Sequence, residues 1–319
     1  MKQQITRLLP KRLLTQHRLN KQRRIYERYR SLDPSEYRRE LGRWFTQTTG
    51  ENLDLENPST FNQKVQWLKL YDCTPRKGEL ADKYEMRAYV EAVLGPGHLA
   101  PLLGCWRSFE EIDFASLPDQ YVLKATLGSG TNLFVTRESP LDPNRARDLV
   151  NGWLATDYRF VNGFELHYGF TTNKIIAEEL LDFGPEGPVD YRFFCSYGDV
   201  FSIWCDTGSA SHNYHRTIFT PDWRPLTDRA THPLHEAPPE KPASFEYMLD
   251  AARQLSADFS LVRVDFYEYG GRVLVGELTF TPQSGAAVFD PSEFNLTMGG
   301  VPIVLSTGKC SPCDRIAAC

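Results

Sequence analysis

No apolar run in this 319-residue chain approaches the roughly 18 residues that a membrane-spanning helix needs. The opening residues lack the apolar stretch and small-residue cleavage site of a secretory signal, so the cytoplasm is the expected location. Cysteine is scarce: seven residues, an odd number. Cys73, Cys105, Cys195 and Cys205 are scattered in the manner of reduced core thiols. Cys310, Cys313 and Cys319 sit in a short tail without the second pair or the histidines that a zinc site requires, so an unstructured tail is expected. There is no Ser-His-Asp or Cys-His arrangement for nucleophilic catalysis, no GK[ST] of a P-loop, no clear Asp-x-Asp, and no internal repeat.

Charge is present but uneven. The chain carries −5 overall, yet residues 1–30 hold ten Lys or Arg against one acid, Glu27, which gives +9 there and −14 for the remainder. Leu8, Leu9, Leu13, Leu14, Ile25 and Tyr26 make this leader loosely amphipathic. Such a segment suits an anionic membrane surface, packing against the acidic body of its own protein, or nucleic acid. Nucleic acid is the weakest of the three, because no second basic patch is interleaved with aromatics.

The strongest local pattern lies near the C-terminus. Leu261 to Tyr267 (LVRVDFY) and Arg272 to Phe280 (RVLVGELTF) are rich in β-branched and aromatic residues and flank Tyr269-Gly270-Gly271, which predicts a β-hairpin. A three-residue loop would set Glu268 opposite Arg272, Val264 opposite Gly276 and Arg263 opposite Glu277. Val262, Val264, Phe266, Leu274, Leu278 and Phe280 then share the core face. Arg263, Asp265, Glu277 and Thr279 share the other, with the two carboxylates about 7 Å apart as diagonal neighbours. Two carboxylates converging without His or Cys favour a hard cation such as Mg²⁺, which adds phosphate oxygens and waters to one or two carboxylates. The plainer alternative is a cross-strand Arg263–Glu277 salt bridge with Asp265 solvated.

Elsewhere the pattern predicts helices through residues 1–50, broken or restarted at Pro34, and over 60–71, where Thr60 and Gln63 stand at capping-box spacing before Val65, Leu68 and Tyr71. A helix is also expected over 80–93, placing Lys83 and Arg87 on one face. Strands follow at Tyr121 to Thr126, Leu133 to Thr136 and Ile175 to Leu181, with two more within 191–205 around Gly198-Asp199. Helices are expected over 142–155 and 244–256, the latter with Phe245, Met248, Leu249, Ala252 and Leu255 on one face. A helical front with mixed α+β structure behind it is the result.

Several polar residues punctuate these elements. Lys124 lies in the strand just before Gly128-Ser129-Gly130, a turn whose backbone could close over phosphates although a strand, not a helix, follows. Ile175 to Asp182 leads out of the core as a hinge. Its backbone could pair with an adenine edge, and Glu178 or Glu179 could take ribose hydroxyls, unless it is a plain core strand. Arg192 could join the same cleft. His212, His215 and Arg216 cluster before Asp222-Trp223 without a third metal ligand, which favours Arg216 as an anion clamp.

The order of these pieces resembles the ATP-grasp superfamily. FNQKVQWLKLYD (61–72), LADKYEMRAYV (80–90), PLLGCW (101–106), FEEIDFASLPDQYVLKATLGSGTN (109–132), IIAEELL (175–181), DYRFFC (190–195) and RVDFY…GELTFTPQSG (263–285) are similar to the TupA-like ATP-grasp proteins, linked with teichuronopeptide, capsule and other surface-polysaccharide synthesis. The likeness runs over roughly residues 55–300. It implies an α+β ATP-grasp fold, two α+β subdomains sandwiching ATP, with a helical N-terminal region. The boundaries it suggests are a basic leader 1–35, a helical lobe 36–120, subdomain A with the flap 121–181, subdomain B with the hairpin 182–300, and a tail 301–319.

By the same resemblance, Lys83 and Lys124 would contact ATP phosphates, Gly128, Ser129 and Gly130 would form the flap, and Glu178, Glu179 and Leu181 would line the adenine and ribose pocket. Asp265 and Glu277 would hold Mg²⁺. Thr279 stands where the superfamily usually has a metal-binding Asn, and Arg192 where many relatives have Lys, which changes geometry while keeping charge. Lys124, Arg216 and Arg263 would neutralise charge developing during phosphoryl transfer. The implied activity is an ATP-dependent carboxylate–amine ligase acting through an acylphosphate. Its partners would be a carboxylate-bearing glycan or lipid-linked precursor and an amine such as an amino acid, with residues 1–30 suited to the inner membrane face. A polysaccharide-biosynthesis glycosyltransferase, a sugar kinase and a non-catalytic ATP-binding assembly factor are the alternatives.

Overall fold

A computed structural model describes residues 24–185, 187–208 and 213–300. Most of the basic leader, His212 and the tail cysteines lie outside the described residues. Among those described, no helix is long and apolar enough to cross a membrane. Ile25 and Tyr26, at the described end of the leader, pack on a cluster built around Tyr29, Tyr37, Leu41 and Phe164. The Tyr26 hydroxyl accepts a hydrogen bond from the Asp157 N–H at 2.6 Å. At the described end of the leader, Ile25 and Tyr26 thus pack on the protein's own core through apolar contacts.

Two antiparallel sheets carry the fold. The first has the order β1-β4-β2-β3, with β1 Leu102–Trp106, β2 Tyr121–Ala125, β3 Asn132–Val135 and β4 Ile175–Glu179. Strand period two puts Leu123, Ala125, Ile175 and Ala177 on the face that packs against helix α5 (Pro143–Leu154). Lys124 and Glu178 fall on the opposite face. β1 goes unread in the sequence because PLLGCW is short and punctuated by Pro and Gly; the first sheet thus begins upstream of the expected boundary at 121.

The second sheet runs β10-β9-β5-β6-β7, with β5 Asp190–Ser196, β6 Asp199–Thr207, β7 His215–Phe219, β9 Val262–Tyr269 and β10 Arg272–Thr279. A short β8–β11 pair (Arg229–Ala230, Phe289–Asp290) stands apart. One face of the large sheet supplies Phe193, Ile203, Phe219, Val264 and Phe266 to the main core. There they meet Met248 and Leu255 of helix α6 (Phe245–Ser256) and Val90 of helix α4 (Met86–Leu94). Each large apolar side chain buried this fully contributes about 1.5–3 kcal/mol.

The other face is divided. Phe194, Trp204 and Ile218 pack with Phe61, Val65 and Leu68 of helix α2 (Phe61–Tyr71), whose start is fixed by the expected Thr60–Gln63 capping box, and with helix α7 (Phe294–Gly299). Further along the same strands the side chains turn to Asp190, Arg192, Asp206, Arg216, Arg263, Asp265, Glu277 and Thr279. The expected helical lobe is therefore not separate: α2 and α4 are built into the cores of the second sheet, while α1 (Tyr37–Thr49) packs on the cluster around Phe164.

Two local expectations are corrected. The helix over 80–93 is interrupted: α3 (Pro75–Ala81) ends, Asp82 accepts the N–H groups of Tyr84 and Glu85, and α4 starts at Met86. Lys83 consequently lies in the intervening turn, not one helical turn from Arg87. The hairpin loop also has two residues, since Arg272 pairs with Tyr269, and a β-bulge between Val275 and Glu277 then shifts the register. Val273 and Val275, rather than Leu274, join the main core. Gly276 sits at the bulge, where a Cβ would run into the Tyr267 ring.

Candidate active site

The bulge decides the geometry at the hairpin. A two-residue loop alone would send Asp265 and Glu277 to opposite faces; the extra residue returns them to one face and makes them direct cross-strand partners. That is closer than the diagonal placement expected. Two charged carboxylates at the roughly 5 Å of a cross-strand pair repel by about 3 kcal/mol at an effective dielectric near 20. Arg263 relieves this. Its guanidinium donates to both oxygens of Asp265 at 2.6 Å each and to Glu277 Oε1 at 2.6 Å. The salt bridge of the plainer reading is therefore present, but Asp265 is 4% exposed and not solvated.

The two carboxylates are tuned in opposite directions. Burial raises Asp265 to about 6, the Glu277 charge adds to this, and Arg263 and Arg192 offset only part. Burial also acts to raise Glu277, but Lys83, Arg263 and the Thr279 hydroxyl outweigh it and hold the group at about 2. As a pair they keep one firm negative charge and one proton-sensitive carboxyl. Thr279 Oγ1 donates to Glu277 Oε1 at 2.8 Å, so the hydroxyl in the usual Asn position orients Glu277 and keeps oxygen lone pairs available.

Lys83 joins the two sheets. Its Nζ donates to the Gly128 carbonyl at 2.7 Å and lies 3.9 Å from Glu277 Oε2, and its own N–H bonds to Thr126 O. Burial lowers its pKa, and Glu277 opposes the shift. Gly128 and Gly130 both have positive φ, +76° and +72°, which this tight β2–β3 turn needs. A Cβ on Gly128 would strike the Tyr158 ring, whereas Ser129 and Gly130 are exposed.

On the first sheet Lys124 Nζ lies 2.6 Å from Glu178 Oε2, and Arg87 donates to Glu178 Oε1 at 3.0 Å and to Ala100 O at 2.7 Å. Glu178 thus uses both oxygens to hold two cations and is 7% exposed. Glu179 is exposed at the strand end with its N–H bonded to Pro101 O, and Leu181 is half-buried beyond it. The structure therefore brings Lys83, Lys124, Glu178 and the flap to one side, and Arg192, Arg263, Asp265, Glu277 and Thr279 to the other.

Arg216 is a correction. It is 1% exposed, donates to both oxygens of Asp206 at 2.6 and 2.5 Å and to Ala230 O, and lies over the Trp204 ring. Every direction of its guanidinium is committed within the protein, so the anion-clamp expectation does not fit its place. Arg192 is better placed, 3.0 Å from Asp206 and 3.9 Å from Asp265, with a buried Nε that has no hydrogen-bond partner among the described residues. Asp206, which ties the two arginines together, went unread in the sequence. Its signal is an acid in the interior of an apolar strand, where it needs a buried partner.

The donors suit Mg²⁺. Asp265, Glu277 and Thr279 offer hard oxygens only, and a cation already bridges the carboxylates in the form of Arg263. Among the described residues no group of three His, Cys, Asp or Glu converges on a metal site, so phosphate and water oxygens would complete the shell. Cys73, Cys105, Cys195 and Cys205 are free thiols.

The family model described as TupA-like ATPgrasp matches residues 63–302. A comparison with the curated proteins found no match. Among solved structures, the chain is similar to the ATP-grasp ligase PsnB complexed with minimal precursor, at 13% identity and TM-score 0.38, with 66% of this chain and 54% of that chain covered. It is also similar to D-alanine-D-alanine ligase from Helicobacter pylori, at 12% identity and TM-score 0.38, covering 72% and 62%. D-alanine–D-alanine ligase from Bacillus anthracis complexed with ATP gives 14% identity and TM-score 0.38, covering 64% and 56%. The chain spans 54–62% of the length of these three proteins.

Proposed function

Because the chain belongs to the TupA-like ATP-grasp family and has its α+β fold, we propose that it is an ATP-dependent carboxylate–amine ligase. The single observation that carries this is the meeting of Asp265 and Glu277 on one sheet face, with Lys83 linking Glu277 to the Gly-rich turn of the other sheet. Mg²⁺ and ATP would lie between those faces. Asp265, Glu277 and the Thr279 oxygen would hold the metal, whose charge would offset that of the phosphates when bound.

The chain's own residues supply the rest. Lys124 presents its ammonium group to the phosphates from the first sheet and Lys83 from the turn between α3 and α4, and Glu178 fixes the direction of Lys124. Ser129 and Gly130, exposed at the tip of the turn, cover the phosphates with backbone N–H groups. Arg263, which bonds both Asp265 and Glu277, would supply a guanidinium beside the transferring phosphoryl group or the substrate carboxylate. Arg192 stands beside it as a second fixed cation. A substrate carboxylate attacking the terminal phosphate would yield an acylphosphate and ADP, and an amine would displace phosphate to give the amide. No side-chain nucleophile is required. Glu179 and Leu181, at the exit of β4, line the adenine and ribose side.

The substrate class we propose is a uronate-bearing surface polysaccharide, or its lipid-linked precursor, joined to an amino acid or amino sugar. The protein would be incubated with ATP, Mg²⁺, uronates and amino acids, and the products read for ADP and a new amide. ADP with an amide supports the ligase. ADP with a stable phosphorylated sugar would make it a kinase, sugar transfer without ADP a glycosyltransferase, and nucleotide binding without turnover of any tested pair a non-catalytic factor.

A further inference from the structure

Two tyrosines stand between the Gly-rich turn and the metal hairpin, and neither is accounted for above. Tyr168 lies in a short 3-10 helix, Leu166–Phe170, whose Leu166 and His167 are buried and whose backbone presses on Gly78 so closely that a Cβ there would strike the His167 carbonyl. The segment is thereby fixed in place. The Tyr168 ring packs against His167 in a tilted arrangement with centroids 4.2 Å apart, and His167 meets Phe280, the residue after Thr279, edge-on at 6.3 Å. On its other side Tyr168 meets Tyr158 edge-on at 6.2 Å, and Tyr158 is the ring that Gly128 packs against. The phenol is thus wedged between the root of the flap and the end of β10.

A fully buried phenol normally finds a partner inside the protein, whereas a part-exposed one is open to a ligand or to solvent. The Tyr168 hydroxyl has none among the described residues, and the side chain is half-buried, not enclosed. We propose that Tyr168 is a ligand-binding residue that donates a hydrogen bond to an oxygen of the terminal phosphoryl group, with Tyr158 as its buttress against the flap. This rests on the ATP reading given above. Burial, then the Glu165 and Glu277 charges, hold the phenol well above its ordinary pKa, so it stays a donor at any working pH. A donor at that point complements the lysines: it adds direction where they add charge. It also discriminates, since the bond exists only while the nucleotide carries its last phosphate.

The test is calorimetric, on the full chain, with MgATP and MgADP as the two probes and Tyr168→Phe as the variant. The expected result is an affinity for MgATP lowered about tenfold, the scale of one hydrogen bond to a charged oxygen, with MgADP affinity unchanged within about twofold. The unchanged MgADP affinity also certifies that the variant is folded. Equal losses for both nucleotides, or no loss for either, would overturn the role of Tyr168 while leaving the ATP reading in place. A wild-type protein that binds neither nucleotide would overturn both.

Discussion

Replacing Arg263 by Met removes the one side chain, among the described residues, that bonds both Asp265 and Glu277. Three charge-assisted hydrogen bonds of 2.6 Å disappear, and the nearest remaining cations are Lys83 and Arg192, each 3.9 Å from one carboxylate. Removing one partner of a buried ion pair costs about 3–5 kcal/mol, and that is the expected loss of unfolding free energy near neutral pH. Protonation of Asp265 is the relief. Its folded pKa, about 6, already lies above the unfolded value near 3.9. The stability it contributes is therefore present at low pH and is lost as pH rises through that window. Without Arg263 the folded value rises further. The cost of the substitution then grows by about 1.4 kcal/mol for each pH unit above 6 until the new value is passed. Urea unfolding of wild type and variant at about pH 6 and 8, followed by tryptophan fluorescence, measures both quantities. Millimolar Mg²⁺ should recover more stability in the variant than in wild type, because the ion replaces the missing guanidinium. A loss below about 1 kcal/mol, or one independent of pH over that range, would show that the carboxylates are not pressed together as described.

Arg216→Met should destabilise by about 3 kcal/mol, the lower end for breaking a buried pair, because Asp206 loses its two-pronged partner and keeps only Arg192 at 3.0 Å, yet MgATP affinity at a temperature where the variant is folded should stay within about threefold; a larger loss measured by calorimetry would restore Arg216 as an anion-binding group. His167 is held neutral by burial and then by Lys77 and Lys69, with a folded pKa of about 3. Its contribution is complete above the unfolded value near 6.5 and lost as pH falls toward 3. Wild type should therefore lose on the order of 3 kcal/mol from this residue between pH 6.5 and 4. His167→Gln should flatten that limb of the urea-unfolding profile, and parallel profiles would contradict it.

The site was legible where side-chain type and strand period agree. Arg263 with Asp265, and Glu277 with Thr279, share a face in any register, because residues two apart on one strand point the same way, while whether the two pairs meet on one face depends on the register. The register itself was not legible, because a bulge breaks alternation without altering composition. Gly276, alone inside a strand pattern, is its only trace. The helix expected over 80–93 failed at Asp82, whose carboxylate caps a new turn more favourably than it continues the old one. Arg216 misled because its partner, Asp206, sits on the neighbouring strand and pairing between strands cannot be read from spacing along one of them. Tyr158 and Tyr168 lie in 3-10 helices of three and five residues, too short for a periodicity that says which way a ring faces.

The central claim is that Asp265 and Glu277 together take up a divalent ion that grips a nucleotide's phosphates. Calorimetric titration of ATP with and without Mg²⁺, into wild type and into the Asp265→Asn, Glu277→Gln double variant checked for fold by circular dichroism, tests it most directly. Mg²⁺-dependent binding to wild type that vanishes in the folded double variant is the predicted result. Wild-type binding indifferent to Mg²⁺, or Mg²⁺-dependent binding that survives both substitutions, would contradict it.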